Sequence, residues 1–170
     1  MFSDNPQLKA LVAAIDGTPV QRFLSDFSDE HSAALVALQT THILGIGVMV
    51  ATAWLVGAWL MGATALPKAL GTSPRTLIRA SYVALGVLAT TGLILILRWP
   101  ERILLSEAFP IKLGLIALGL AMLVALAHTL KDDTLYWERK GRRGAGRALG
   151  LSILVVWSAV VFAGRWIPFS

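Results

Sequence analysis

Residues 43–67 read ILGIGVMVATAWLVGAWLMGATALP, and this stretch contains no ionisable side chain. A helix of about 20 consecutive apolar residues is enough to cross the hydrocarbon core of a bilayer. We expect the helix that contains this stretch to run from about residue 32 to 62, which corresponds to roughly 46 Å of helix. Such a helix is longer than the bilayer core, so it should tilt or protrude.

Three further apolar runs follow, and we expect helices over residues 76–97, 111–130 and 148–167. The whole chain of 170 residues is 56% hydrophobic and only 15% charged, whereas soluble domains are about a quarter charged. The sequence therefore predicts an all-α, polytopic membrane protein in which residues 31–170 form a four-transmembrane-helix bundle.

Residues 1–30 differ from the rest and predict two N-terminal amphipathic surface helices. Asn5 and Thr18 each precede a proline, a pattern typical of a helix cap followed by the first helical position. Apolar residues then recur with the spacing of one helical face: Leu8, Leu11, Val12 and Ile15 in the first, and Val20, Phe23, Leu24 and Phe27 in the second. Both helices are too short to span, so we expect them on the membrane surface or on the bundle.

The basic residues predict the orientation of the bundle. We call the N-terminal side of the bundle side A and the opposite side side B. Side B carries nine Lys and Arg residues: Lys68, Arg75, Arg79, Lys131, Arg139, Lys140, Arg142, Arg143 and Arg147. Side A carries six: Lys9, Arg22, Arg98, Arg102, Lys112 and Arg165.

Connectors rich in Lys and Arg stay on the cytoplasmic side of a membrane. We therefore expect side B to be cytoplasmic, with both termini outside (periplasmic) and the protein in the bacterial inner membrane. The run over residues 138–147, between the third and fourth helices, should anchor this topology. The same pattern explains the net charge of +5 without a nucleic-acid partner.

Small residues predict the packing faces, because helices in lipid associate where their backbones can approach closely. The third helix has Ala117, Ala121 and Ala125 four residues apart; the first has Ala53 and Gly57, and the fourth has Ala159 and Ala163. We expect these faces inside the bundle.

Histidines are the main candidates for chemistry, since a polar residue inside a membrane is costly to keep. His42, preceded by Gln39, lies early in the first helix, and its imidazole is a candidate ligand for b-type haem. His128 should lie near the opposite end of the bundle, too far from His42 to share one iron. His31 lies roughly 16 Å along the helix from His42, so these two could share an iron only if the chain folded back. His42 could also pair with its copy in a homodimer, or pack through a hydrogen bond to Gln39 or to the threonines Thr40 and Thr41.

Two other residues are candidates for a binding site. Lys112, in the first turn of the third helix on side A, could snorkel to the headgroups or face His42 and contact an anion or a quinone headgroup, with Glu101 or Glu107 as its partner. Trp54 lies deeper than the usual aromatic belt, which favours helix packing or a buried pocket.

Several classes of site are absent from the sequence. The chain has no cysteine, which excludes thiolate metal sites and covalent c-type haem. Met49, Met61 and Met122 are soft ligands for copper, but no histidine stands at ligand spacing from them. The spanning segments lack carboxylates, which disfavours a permease, and we identify no catalytic residue.

The segments LQTTHILGIGVMVATAWLVGAWLMG (residues 38–62) and GVLATTGLILILRWPERILLSEAFPIKLGLIALGLAMLVAL (residues 86–126) resemble an uncharacterised bacterial family, the domain of unknown function 6644 group. The resemblance covers roughly residues 35–130 and rests on His42, Gly62, Gly92, and the pair Phe109 and Lys112. It departs from the family where AWLMG (residues 58–62) replaces an acidic Asp-Leu-Arg element. The resemblance implies a membrane protein without a settled activity.

Two functions stay open. The first is a small membrane subunit of a redox or respiratory system that binds haem through His42. The second is a non-catalytic membrane scaffold or anchor that binds a protein partner. In both cases the lipid bilayer surrounds the bundle, and an enzyme activity of the chain itself is not expected.

Overall fold

The structure is a computed structural model that describes residues 5–63, 71–133, 136–137, 139 and 141–167. In this part of the chain the regular structure is entirely helical. The helices, in chain order, are α1 Pro6–Ile15, α2 Pro19–Glu30, α3 Ser32–Met61, α4 Pro74–Arg98, α5 Pro100–Leu104, α6 Ala108–Asp132 and α7 Arg143–Trp166.

Four of these helices, α3, α4, α6 and α7, are long and apolar enough to cross a bilayer. The predicted all-α, four-helix membrane architecture is therefore confirmed, and the protein is a multi-pass membrane protein. Large apolar side chains on the outside of the bundle agree with this assignment: Phe162, Val83 and Ile43 are 77%, 70% and 66% exposed. These surfaces face lipid rather than water.

The start of α6 differs from the sequence prediction. We expected this helix to begin after Pro110, but it begins at Ala108. Pro110 lies in its first turn, where a proline is tolerated because the backbone N–H there has no partner within the helix.

The start of α7 also differs, because this helix begins at Arg143 rather than near Ala148. The prediction of a connector over residues 138–147 is therefore wrong for residues 143–147, which form the first helical turn. The predicted basic connector residues Lys68 and Lys140 lie outside the described residues.

The two N-terminal helices begin at the predicted caps. The Asn5 side chain accepts a hydrogen bond from the backbone N–H of Gln7, and the Thr18 side chain accepts one from Gln21. A proline fills the first helical position in each case, so the Asn-Pro and Thr-Pro predictions are confirmed.

Helix α2 is fixed to the side A end of α4. Arg98 Nε donates a hydrogen bond to Ser28 Oγ at 2.8 Å, and Arg98 Nη2 forms an ion pair with Asp29 at 2.8 Å. The apolar face of α2 stays uncovered, since Val20 and Phe23 are 57% and 65% exposed. The expected location of this face at the membrane surface stays a prediction.

Helix α3 forms the centre of the bundle. It packs against α4 on one side and α7 on the other, while α6 packs against α7 and touches α4 only lightly. The core contains fully buried side chains from three of these helices: Met49, Ala53, Val56, Leu123, Leu126 and Ile153.

The closest contact between helices joins α3 to α7. A Cβ added at Gly57 would lie 2.8 Å from the carbonyl oxygen of Gly150, and a Cβ at Gly150 would lie 2.5 Å from that of Gly57. No larger side chain fits at that separation. The predicted packing face at Ala53 and Gly57 is therefore confirmed, and its partner on α7 is Gly150.

The prediction for the third helix is wrong. Ala117, Ala121 and Ala125 of α6 are exposed. The buried face of α6 instead contains Gly119, against which the indole of Trp157 packs so closely that a Cβ there would lie 2.9 Å from the ring. Trp157 is 2% exposed, and its Nε1–H has no hydrogen-bond partner among the described residues.

Candidate functional site

Three polar side chains from different spanning helices lie at the side A end of the bundle. His42 is ten residues after the start of α3, Thr91 is seven residues before the end of α4, and Lys112 is four residues into α6. At 1.5 Å per residue these positions lie roughly 15, 10 and 6 Å from the respective helix ends. We call these three residues the side A cluster.

A short hydrogen bond joins His42 to α4. The distance between His42 Nδ1 and Thr91 Oγ1 is 2.7 Å. The Thr91 hydroxyl also donates to the backbone oxygen of Val87 at 2.7 Å. A hydroxyl has one hydrogen and two lone pairs, so with that hydrogen directed at Val87 the Thr91 oxygen accepts from His42, and in this arrangement Nδ1 carries the proton. In the neutral ring Nε2 then carries an unprotonated lone pair.

Lys112 lies on α6 at the same end of the bundle as His42. Its side chain is half-buried and runs across Gly164 of α7, where an added Cβ would lie 3.2 Å from Lys112 Nζ. The ammonium makes no hydrogen bond or ion pair with any described residue, so the expected pairing with Glu101 or Glu107 is wrong. That Lys112 faces His42 stays a prediction.

Glycine lines the imidazole on its α4 side. A Cβ at Gly92 would make an ordinary contact of 3.5 Å with His42 Cε1. Gly92 is one of the positions that carries the resemblance described above, and in the structure it belongs to the same interface as His42 and Thr91.

Gln39 and Trp54 do not join the cluster. Gln39 is exposed, and the hydrogen-bond partner of His42 is Thr91 rather than Gln39. Trp54 is 47% exposed on the outside of α3, so the expectation that it lines a pocket or a helix interface is wrong. A tryptophan on that surface faces lipid.

The other two histidines lie apart from His42. His31 occupies the turn between α2 and α3, where Nδ1 lies 3.2 Å from the backbone oxygen of Phe27 and the ring stacks on Phe27. Helix α3 is continuous from Ser32 to Met61, so the chain does not fold back to bring His31 and His42 to one iron. His128 is exposed near the side B end of α6, the opposite end of the bundle from His42.

No cluster of metal ligands accompanies these histidines. Among the described residues there is no group of three or more His, Cys, Asp or Glu side chains that could hold a metal ion. Met49 is buried in the core, whereas Met61 is exposed on the outside. Within the side A cluster, His42 is therefore the one side chain of these four types that could bind a metal.

Thr91 is the functional residue that sequence reasoning missed. The signal was available, because Thr90 and Thr91 are adjacent hydroxyl residues in the charge-free stretch of α4 between Arg79 and Arg98. Their helical position relative to His42 could not be read from the sequence without knowing which face of α4 packs on α3.

Comparison of the chain with known protein families, with curated proteins and with solved structures found no match. Membership of the domain of unknown function 6644 group therefore stays a prediction from the motifs quoted above.

Proposed function

We propose that this protein is a small membrane subunit of a redox system and that His42 Nε2 binds the iron of a b-type haem. The observation that carries the proposal is the hydrogen bond from His42 Nδ1 to Thr91 Oγ1 at 2.7 Å. Histidines that bind metals almost always donate the other ring N–H to an acceptor, which fixes the tautomer and the ring orientation.

Lys112 supports the same proposal. It lies nearer the side A helix end than His42 does, and it makes no ion pair with a described residue. Haem carries two propionate groups, and an unpaired ammonium at this depth is suited to bind one of them. Haem, when bound, supplies one-electron transfer; the residues of this chain bind and orient it.

The number of histidines that would hold the haem distinguishes two forms of the proposal. His31 and His128 lie away from His42, so within the described residues this chain supplies one imidazole. A single chain would hold the haem through one imidazole, whereas a symmetric dimer that brings two copies of His42 together would hold it through two.

The test is the visible spectrum of the full-length protein purified in detergent from haem-replete cells, oxidised and reduced. We expect a Soret band that is lost in His42→Ala and weakened in Thr91→Val. His31→Ala and His128→Ala are matched controls and should keep the band. A colourless preparation of the wild-type protein, or equal loss in all three histidine variants, would overturn the proposal.

The half-buried, unpaired Lys112 favours a second candidate, contact with a quinone headgroup. Lys112 would donate to a quinone carbonyl, and His42 Nε2 would accept from a hydroxyl of the reduced form. A short-chain quinone should then bind the colourless protein, with loss of binding in Lys112→Met and retention in Lys9→Met. A preparation that binds neither haem nor quinone would favour the scaffold function.

We further propose that side B faces the cytoplasm and that both termini are periplasmic, in the bacterial inner membrane. The excess of Lys and Arg on the side B connectors supports this orientation.

A further inference from the structure

A basic groove lies at the other end of the bundle, between the first turns of α4 and the last turns of α6. Its volume is about 290 Å³, and its lining includes three cations, Arg75, Arg79 and Lys131. All three lie on side B, within two turns of a helix end, which is the level of lipid headgroups.

The cations of this groove are not neutralised by any of the described residues that line it. No acidic side chain is among the described residues that line it. Arg75 donates hydrogen bonds to the backbone oxygens of Leu130 and Lys131 at the end of α6, so it joins the two helices. Arg79 and Lys131 make no side-chain hydrogen bond or ion pair with any described residue, and both are exposed.

The inner wall of the groove is apolar. Ile78 and Leu130 are 3% and 2% exposed, and Ala127 is half-buried beside them. The half-buried Tyr82 adds an aromatic ring and a hydroxyl that has no hydrogen-bond partner among the described residues. The groove therefore combines cations at headgroup level with a hydrocarbon surface deeper in the membrane.

We propose that this groove binds an anionic phospholipid, with its phosphate at Arg79 and Lys131 and an acyl chain along Ile78 and Ala127. Basic pockets between transmembrane helices are suited to anionic headgroups, and arginine binds phosphate oxygens through paired N–H donors. The occupant is a lipid rather than a free phosphate because the apolar wall continues from the cations into the bilayer. The Tyr82 hydroxyl supplies a further donor to the headgroup.

The experiment measures lipid retained by the full-length protein, by native mass spectrometry after titration with phosphatidylglycerol or phosphatidylcholine in detergent. We expect saturable binding of phosphatidylglycerol and little binding of phosphatidylcholine. Arg79→Gln should weaken the binding at least about tenfold, since a charge-assisted hydrogen bond is lost. Arg147→Gln removes the same charge from an exposed position of α7 on side B and should weaken it no more than about fivefold.

Two further measurements complete the test. Arg79→Lys keeps the charge and should bind phosphatidylglycerol with most of the wild-type affinity. Such binding would show that Arg79→Gln weakens the site rather than the fold. Equal weakening by Arg79→Gln and Arg147→Gln, or equal binding of the two lipids, would overturn the proposal. Displacement of the lipid by inorganic phosphate alone would show a free-phosphate site instead, which also contradicts it.

Discussion

Two polar pairs join α3 to α4 at different depths in the bundle. Thr52 Oγ1 lies 2.8 Å from Ser81 Oγ in the buried centre, and His42 Nδ1 lies 2.7 Å from Thr91 Oγ1 nearer side A. In hydrocarbon a polar side chain finds no water, so it bonds to its own helix or to the next one. These two hydrogen bonds therefore hold α4 against α3 and also fix the rotation of α4 about its own axis.

Thr91→Val should leave the Nδ1–H of His42 without its acceptor. We expect the free energy of unfolding to fall by about 1 kcal/mol, a typical value for a hydrogen bond between membrane helices. Nitrogen-15 NMR of labelled histidine should also show a weaker preference for the Nδ1–H tautomer. Thr90→Val is the matched control, because Thr90 is exposed and its hydroxyl bonds to Gly86 of its own helix. Equal effects of the two variants would contradict the assignment of the pair.

The close approach of α3 and α7 shows how far small-residue patterns can predict helix packing. Gly57 was predicted correctly because it lies four residues after Ala53, on the same face of α3. The Ala117 stripe was not, because α6 carries small residues on more than one face. The Trp157 ring decides which face of α6 is buried, since only Gly119 leaves room for it. This contact joins distant segments of the chain, so the spacing of small residues within α6 does not predict it.

Gly150→Ala should separate α3 from α7. The added methyl group would lie 2.5 Å from the Gly57 carbonyl oxygen, so the helices must move apart. We expect a loss of about 1–3 kcal/mol in the free energy of unfolding, as for other overpacked cores. Gly144→Ala, on the same helix with open space around its Cβ position, should cause no loss. Unfolding by denaturing detergent measures both variants.

Arg98→Ala should release α2 from the bundle while leaving the four spanning helices in place. The ion pair with Asp29 is partly exposed, so its removal should change global stability by less than about 1 kcal/mol. Hydrogen exchange of the α2 amides should become faster. Arg102→Ala removes an exposed cation from the same end of the bundle and should leave the exchange unchanged; faster exchange in both variants would contradict the docking role.

At the scale of the whole molecule, the four spanning helices follow directly from composition, because each apolar run excludes charge over a length that fits the bilayer. The helix starts were less predictable. Pro110 and the basic residues from Arg143 onward predicted connecting segments. Both are compatible with the first turn of a helix, and they lie at the starts of α6 and α7. The side A cluster was predicted in part, through His42 and Lys112, and Thr91 required the relative rotation of two helices.

Four crossings predict that residues near both ends of the chain lie on one side of the membrane. The chain has no cysteine, so an introduced cysteine is its only thiol. A membrane-impermeant maleimide should label Lys9→Cys and Arg102→Cys in intact cells, and Gly144→Cys only after permeabilisation. The opposite labelling would reverse the proposed orientation. Labelling of Lys9→Cys and Gly144→Cys from the same side would contradict four crossings.

The free-energy cost of the unpaired Nε1–H of Trp157 depends on what surrounds the indole once the helices have separated. In a water-soluble protein a buried donor without an acceptor costs about 1–3 kcal/mol, because unfolding would return it to water. Trp157 is nine residues from the end of α7, roughly 13 Å deep. At this depth helices that part in the bilayer leave the indole among acyl chains, which offer no hydrogen-bond acceptor either. The unpaired donor therefore costs little in a membrane, and the contribution of Trp157 to stability comes from the packing of its ring against Gly119.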